Sequence, residues 1–305
     1  MTIPPPDFAA VADLLDLSLK EDLGSGDVTT DSVVRIEAAA RGRFKAKAEG
    51  VVCGLPLLEF IFSRHCPEGS FVSIARDGQR VRAGELIATL EAPARSALKL
   101  ERLMLNFLQR LSGVATLTAR FVEAVGPDGA AILDTRKTTP LWRILEKYAV
   151  RCGGGQNHRM GLYDQVLIKD NHLALLAAEL GNAGAGGCIG TGTIIEAVRR
   201  SREKAPGLIV QVEVRDIRET REACGAGADL ILLDNMSLKA LAESAGFIRQ
   251  WREAGGAAAP LSEASGGVSL ENARSVAQTG VDRISIGALT HSAPALDISL
   301  KLASL

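Results

Sequence analysis

Two short apolar runs in the middle of the chain are each followed by charged residues. The runs, 130–133 and 166–168, have the length and composition of buried parallel strands. Because the formal net charge of the chain is only -1, positive charge gathered at strand ends indicates a pocket for a small, highly charged anion and argues against a nucleic-acid surface. The residues of this cluster are Arg136, Lys137, His158, Arg159 and Lys169.

Two carboxylates end apolar runs further along the chain. Glu213 closes the run VQVEV, and Asp234 closes LILLD. A buried carboxylate without a partner is costly, so these groups should meet either a metal ion or the basic residues across the site. Mg²⁺ bound through a sugar phosphate suits such hard oxygen ligands, and an internal ion pair is the competing explanation.

Glycine-rich turns follow the last two apolar runs. They contain Gly266 and Gly267 in ASGG, beside Ser265, and Gly287 in IGALTH. Backbone N–H groups of such turns can cradle a phosphate, and barrels commonly do this after their final strands. The alternative is that these glycines only permit tight turns.

Other chemistry is open to the same residues. Lys169 at a strand end could form a Schiff base, as in an aldolase. His158 and His172 could be ordinary packing or capping histidines. An anion sensor without catalytic activity would use the same cationic cluster.

The order of the apolar segments predicts how these residues are positioned. After residue 130, runs of strand length alternate with segments of helical periodicity, which indicates parallel strands joined by crossover helices. Polar residues end nearly every strand, which favours a (β/α) barrel over an open sheet, where they would gather at one switch point. The predicted strands are 132–134, 166–169, 208–214, 230–234, 261–264 and 283–287, and the predicted helices are 141–150, 193–204, 217–226, 238–254 and 270–278.

The first third of the chain has a different pattern. A helix is predicted at 7–20, a structural turn at 21–30, short strands within 38–93 and a long helix at 94–122. The DGxxVxxGxxIxxL rhythm of the strands is similar to the small sandwich of biotinyl and lipoyl carriers. Because no lysine stands at a hairpin tip, this segment is interpreted as architecture.

Composition limits the class of protein. The chain has 305 residues, 47% hydrophobic, with five cysteines that never form a CxxC pair. This argues against a disulfide framework or structural zinc, and the cysteines, including Cys152, are expected to be buried thiols. The amino-terminal sequence lacks the pattern of a secretory signal and no run is long enough for a membrane span, so a cytoplasmic location is expected.

Nine motifs spread over the chain, from EDLGSGDVTT through DTRKTTP and LIKDNH to GVDRISIGALTHS, together resemble the quinolinate phosphoribosyltransferase family. The departures are Leu141 where the family usually has glycine, a glycine-rich run at 177–192, and Gln211 in place of a common acidic residue, expected to face away from the site. A molybdenum-associated paralogue shares TRKTTP, but the intact KYAVRCGGGQNHR and LIKDNH indicate the quinolinate type. The motifs are EDLGSGDVTT, ERLMLNFLQRLSGVAT, DTRKTTP, LEKYAVRCGGGQNHR, LIKDNH, VEV, LLDNM, EASGG and GVDRISIGALTHS.

The resemblance implies an N-terminal α/β sandwich domain followed by an incomplete (β/α) TIM-like barrel. The implied domains are 1–114 for the sandwich and dimerisation, 115–290 for the barrel and 291–305 for a segment that packs back on the first domain. It also implies a homodimer with shared active sites, or a larger assembly built from it. The implied reaction converts quinolinate and phosphoribosyl pyrophosphate into nicotinate mononucleotide, CO₂ and pyrophosphate, in NAD biosynthesis.

The resemblance also implies roles for individual residues. Lys137, Lys169, Glu213 and Asp234 would be catalytic, and Glu213 and Asp234 would hold Mg²⁺. The implied quinolinate-binding residues are Arg102 from the partner, Thr135, Arg136, Lys137, His158, Arg159 and Lys169. The implied phosphoribosyl pyrophosphate-binding residues are Lys137, Lys169, Glu213, Asp234, Ser265, Gly266, Gly267, Gly287 and His291.

Overall fold

The computed structural model describes residues 3–127, 129–184, 189–255 and 259–305. They form two compact units, the first within Met1–Arg120, Lys137–Gly155 and Ala288–Leu305, the second within Phe121–Arg136 and Gln156–Gly287. Every helix in these ranges is too short or too polar to cross a membrane. Segment 137–155 was expected in the barrel but belongs to the first unit. Its side chains bond there: Tyr148 donates to Asp77 at 2.9 Å, and Glu146 pairs with Arg110 at 2.9 Å.

An antiparallel sheet forms the frame of the first unit. Its strands are β1 (Ala39–Ala46), β3 (Ser70–Ser73), β5 (Leu86–Pro93) and β12 (Ile298–Ser304), in the order β12-β1-β5-β3, and β2 (Gly50–Val51) pairs with β4 (Arg80–Val81). Burial alternates along β1, as expected for a strand with one face on the core. The C-terminal strand lies beside β1 from Ala40↔Ser304 to Ala46↔Ile298.

Helices cover this frame. Asp27 caps one of them by accepting a hydrogen bond from the Thr30 amide at 2.9 Å, inside the segment predicted as a turn. The helices are α1 (Ala12–Leu23), preceded by a 3-10 turn at Phe8–Val11, α2 (Val28–Val33), α3 (Leu55–His65), α4 (Ala94–Val125), α5 (Arg143–Cys152) and α11 (Ala288–His291).

The second unit is built on six parallel strands. They are β6 (Ala131–Leu133), β7 (Val166–Ile168), β8 (Val210–Val214), β9 (Leu230–Asp234), β10 (Leu261–Ser265) and β11 (Arg283–Ser285), in the order β6-β11-β10-β9-β8-β7. Each strand lies beside its neighbour in the chain, as in a barrel, except at the opening between β6 and β7. Gln156 bonds to the β6 edge there, since its amide donates to the Ile132 carbonyl at 2.8 Å. The incomplete barrel predicted from the sequence is confirmed.

Five helices connect these strands. They are α6 (Asp170–Glu179), α7 (Thr193–Lys204), α8 (Ile217–Gly225), α9 (Leu238–Glu253) and α10 (Ala273–Ala277). The sequence prediction omitted α6, which has buried Leu173 and Ala177 and a start where the Lys169 amide donates to His172 Nδ1 at 2.9 Å. Within the glycine-rich run 177–192, residues 185–188, including Cys188, lie outside the described residues.

Leu141 adopts a backbone conformation that favours glycine. Its φ is +67°, and the residue is 74% exposed. The next residue, Trp142, stacks on Phe107 with ring centroids 4.4 Å apart, and its amide donates to the Thr139 carbonyl at 3.1 Å. These contacts hold the turn, so Leu141 is kept in a conformation that glycine adopts more readily.

Replacing Leu141 with glycine should therefore stabilise the protein. We expect Leu141→Gly to have a free energy of unfolding about 1 kcal/mol higher than Leu141→Ala, because alanine loses the same exposed side chain but keeps the strain. Urea denaturation of the two variants measures the difference. Equal stability would show that the turn does not strain a residue with a Cβ atom.

Asn235 ties the ends of β9 and β10 together. It also has a positive φ, +51°, and its amide donates to the Ser265 carbonyl at 2.9 Å. Its side-chain amide donates to the Asp234 carboxylate at 2.8 Å. Gly266 lies against this side chain, and a Cβ there would overlap the Asn235 amide oxygen. The two strand ends are therefore fitted to each other at Asn235 and Gly266.

Enlarging Gly266 should displace Asn235. We expect Gly266→Ala to destabilise the protein by about 1–3 kcal/mol through overpacking and a positive φ of +92°. Gly267→Ala is the matched control, since its φ is +63° and a Cβ added there would meet no atom within 4 Å. Combining Gly266→Ala with Asn235→Ala should recover part of the loss, and strictly additive free energies from denaturation would contradict the contact.

Candidate active site

The polar residues predicted for the site gather at one edge of the barrel. In a parallel barrel all strands end on the same face, which is where catalytic loops are found. The residues at or just beyond these six strand ends are Thr135, Arg136, Lys169, Glu213, Asp234, Ser265, Gly266, Gly267 and Gly287.

Two arginines form the centre of positive charge at this face. Arg159 is only 8% exposed, and burial followed by the nearby charge of Arg136 lowers the pKa of its guanidinium. Arg136 Nε is buried without a hydrogen-bond partner among the described residues, and neither arginine forms a salt bridge within them. The Asp164 carboxylate opposes this shift from beyond salt-bridge distance, so the two like charges still favour a bound anion.

Asp134 holds the loop that carries Arg159. This carboxylate is fully buried at the end of β6. It accepts hydrogen bonds from the His158 amide at 2.9 Å and from the Asn157 side chain at 2.6 Å. Arg159 is fixed further by donating through Nη1 to the Gln165 carbonyl at 2.9 Å. The guanidinium is therefore placed by bonds made before any ligand arrives.

Glu213 and Asp234 form an acidic region, opposite in charge to the arginine pair. Burial raises the pKa of Glu213, the charges of Asp234 and Asp170 raise it further, and Lys169 opposes them. The Asp170 amide also donates to Glu213 at 3.4 Å. A carboxylate whose pKa is raised by neighbouring negative charges favours a bound cation.

Lys169 is exposed at the end of β7. A Schiff-base lysine is usually activated by desolvation, which an exposed amine lacks. Its nearness to Glu213 instead places a mobile positive charge beside the acidic region.

A cavity of about 320 Å³ lies at the ends of β9 and β10. Its lining includes Asn235, Ser265, Gly266, Gly267 and Asn272. Gly266 and Gly267 are exposed with positive φ, so their peptide groups lie at the surface of the cavity without side chains in front of them. This geometry suits a phosphate-sized ligand.

Three predicted site residues belong to the first unit. Arg102 is exposed on α4, and His291 is exposed at the end of α11, where it contacts the Ser292 hydroxyl. The side chain of Lys137 is exposed, while its carbonyl accepts from Thr290 at 2.7 Å. Their roles toward substrate stay predictions.

Sequence reasoning did not include every residue that shapes the site. Asn235 follows a strand-ending aspartate, and the left-handed tendency of asparagine is the signal that could have marked it. The expectation that Gln211 faces away from the site is wrong. Residues two apart on a strand share a face, so Gln211 lies on the same side of β8 as Glu213, fully buried and bonded to Gln165 at 2.8 Å.

The first unit holds one group of potential metal ligands within the described residues, Cys53, Asp77 and Cys152. Asp77 already accepts from the amides of Gly54 and Leu55, at 2.8 and 3.0 Å, besides Tyr148. Burial raises the pKa of the Cys53 thiol well above its usual range. The group is therefore a structural cluster, which agrees with the expected buried, unreactive cysteines.

The similarity to known proteins extends over nearly the whole chain. The model of the quinolinate phosphoribosyl transferase C-terminal domain matches residues 114–301, and that of the N-terminal domain matches residues 27–112. A probable nicotinate-nucleotide pyrophosphorylase (carboxylating) of Bacillus subtilis is 39% identical, with 94% of this chain and 91% of the relative aligned. A quinolinate phosphoribosyltransferase (decarboxylating) 1b of Nicotiana tabacum is 38% identical, with 95% and 81% aligned.

Solved structures agree with these relatives. The crystal structure of NadC from Streptococcus pyogenes superimposes with a TM-score of 0.87 at 36% identity, covering 99% of each chain. The nicotinate-nucleotide pyrophosphorylase from Francisella tularensis gives 0.86 at 32% identity, also covering 99% of each chain. Matches to both domain models, in chain order, together with near-complete coverage of these relatives, lead to one conclusion: the chain belongs to the quinolinate phosphoribosyltransferase family.

Proposed function

We propose that this chain catalyses decarboxylating phosphoribosyl transfer, from phosphoribosyl pyrophosphate to quinolinate. The observation that carries the proposal is the pair Arg136 and Arg159, two neighbouring guanidinium groups that form no salt bridge among the described residues. Quinolinate carries two adjacent carboxylates, so it supplies the charge that this pair lacks. The relatives described above bear names for this activity.

Bringing the two reactants together is the first task of the site. A dianionic ring and a polyanionic sugar repel each other, so fixed cations are needed to hold the ring nitrogen against the anomeric carbon. Arg159 is prepositioned by Gln165 and by the loop that Asp134 holds. In this proposal Arg136 and Arg159 bind the ring carboxylates, and Thr135 lies beside them.

Transfer begins when the ring nitrogen attacks the anomeric carbon and pyrophosphate departs, through a sugar with oxocarbenium character. Glu213 and Asp234 then hold the ribose hydroxyls and stabilise the positive charge that develops on the sugar. Loss of the neighbouring carboxylate as CO₂ leaves an electron pair on the ring carbon, where the adjacent positive nitrogen stabilises it, and a proton from water then forms the C–H bond of the product. Ser265, Gly266, Gly267 and Gly287 hold the 5′-phosphate, and Lys137, Lys169 and His291 contact the substrate phosphates.

Glu213 and Asp234 also suit a magnesium ion. The fit rests on their carboxylate oxygens and on the raised pKa of Glu213, which a nearby cation would reverse. When bound, Mg²⁺ would neutralise charge on the departing pyrophosphate.

Assembly as a homodimer belongs to the same proposal. Arg102 is exposed and makes no salt bridge within the described ranges, as expected of a residue that serves the partner's site. Arg102→Ala should lower activity while sedimentation still shows the dimer.

A cytoplasmic location is also proposed for this chain, and cell fractionation tests that location.

Removing the positive charge of Arg136 or of Lys169 should nearly abolish activity. We expect Arg136→Ala and Lys169→Ala to lower kcat/KM by about 100-fold or more, since each removes charge from the site where the reactants meet. Quinolinate-dependent CO₂ release measures this. Arg199→Ala is the control, because Arg199 is half exposed and pairs with Glu196 and Glu203 on α7. Near-normal activity in Arg136→Ala would refute the assignment.

Magnesium dependence tests the acidic pair separately. CO₂ release should fall when Mg²⁺ is withheld, and Glu213→Gln should raise the Mg²⁺ concentration for half-maximal rate by about tenfold, because one ligand loses its charge. Glu203→Gln, an exposed change on α7, should leave this concentration unaltered. The same concentration in Glu213→Gln and the unaltered enzyme would remove Glu213 from the metal site.

A further inference from the structure

A buried carboxyl lies inside the barrel beneath the candidate site. Glu263 on β10 is fully buried, and neither of its oxygens has a hydrogen-bond partner among the described residues. His158 Nε2 lies 3.5 Å from Oε1, and Arg283 Nε lies 3.6 Å from Oε2. Burying a carboxyl without hydrogen bonds costs free energy, so we expect Glu263 to have a function.

The ring of His158 is held from two sides. The amide of Arg159 donates to His158 Nδ1 at 2.7 Å, so this nitrogen carries a lone pair and no proton. The proton of the neutral imidazole is therefore on Nε2, the nitrogen that faces Glu263. Both ring nitrogens are directed at protein groups, and the ring is only 9% exposed.

This arrangement engages both ring nitrogens of His158 with protein groups and links the ring to Arg159. We propose that Glu263 is a positioning residue that holds His158 as the Nε2–H tautomer, so that Nδ1 accepts the Arg159 amide and sets the guanidinium of Arg159 at the ring carboxylates. The inference rests on the proposed function for its kinetic consequence. It assigns His158 an indirect role, in place of the direct contact with quinolinate that the family resemblance implies.

Charged and polar side chains from the neighbouring strands surround Glu263. Burial raises the pKa of Glu263, the charge of Asp134 on β6 raises it further, and Arg283 on β11 opposes them. Ser285 and Gln211 also face the carboxyl. Gln211 in turn bonds to Gln165, whose carbonyl accepts from Arg159. Arg159 is thus tied to this interior through its amide and through its guanidinium.

The tautomer can be observed directly in the unaltered protein. With ¹⁵N-labelled histidine, the chain gives signals from four residues, and the pair that disappears in His158→Gln belongs to His158. We expect an unprotonated Nδ1 and a protonated Nε2, in the free protein and with quinolinate bound. A protonated Nδ1, or an imidazolium formed on adding quinolinate, would overturn the proposal.

Two substitutions at Glu263 separate its acceptor role from its charge. We expect Glu263→Leu to disturb the tautomer and raise the KM for quinolinate by about tenfold, with the KM for phosphoribosyl pyrophosphate within about twofold. Glu263→Gln keeps an acceptor oxygen and should keep both the tautomer and a KM within about threefold. Equal losses in the two variants would assign the effect to charge and overturn the proposal, as would an unchanged Glu263→Leu.

Two substitutions at His158 decide between indirect and direct roles. Asparagine places an acceptor where Nδ1 lies, whereas glutamine reaches the place of Nε2. We expect His158→Asn to retain a KM for quinolinate several-fold below that of His158→Gln, and the reverse order would support direct contact and overturn the proposal. Should the unaltered protein fail to consume quinolinate, the proposed function fails, while the tautomer in the free protein still decides the Glu263–His158 inference.

Discussion

The repulsion between Arg136 and Arg159 is the interaction on which the rest of the site depends. Two guanidinium groups brought together at low exposure are unfavourable in the free protein, as the lowered pKa of Arg159 indicates. The fold holds them through Asp134, Gln165 and the parallel strands on either side. Because the fold already holds the two guanidinium groups close together, the site need not reorganise to bind an anionic ring.

Charge of opposite sign is arranged on the neighbouring strands. Glu213 lies one residue before the end of β8 and Asp234 ends β9. Asn235 orients the Asp234 carboxylate and joins it to the Ser265 loop. The arginine pair and the two carboxylates therefore lie at separate strand ends of one barrel face. This separation suits a reaction in which an anionic ring meets a sugar that becomes positively charged.

Much of the fold could be predicted because barrel strands are short apolar runs with polar ends. The barrel helix 193–204 was predicted to the residue, and α6 was missed because its start depends on a capping contact from His172. Segment 137–155 was expected in the barrel, yet its partners, Asp77 for Tyr148 and Arg110 for Glu146, lie in the first unit. Such long-range pairings leave no local periodicity.

The sequence by itself determined the family, the parallel strands and the identity of the polar residues that end them, because these depend on local composition and on motifs. Only the tertiary structure decided which nitrogen of His158 holds the proton, that Gln211 faces inward, and why Leu141 strains a turn that glycine would relax. Each of these depends on groups far apart in the chain or on a backbone angle. Residues adjacent in sequence do not determine such geometry, because it arises only when packing brings distant groups together.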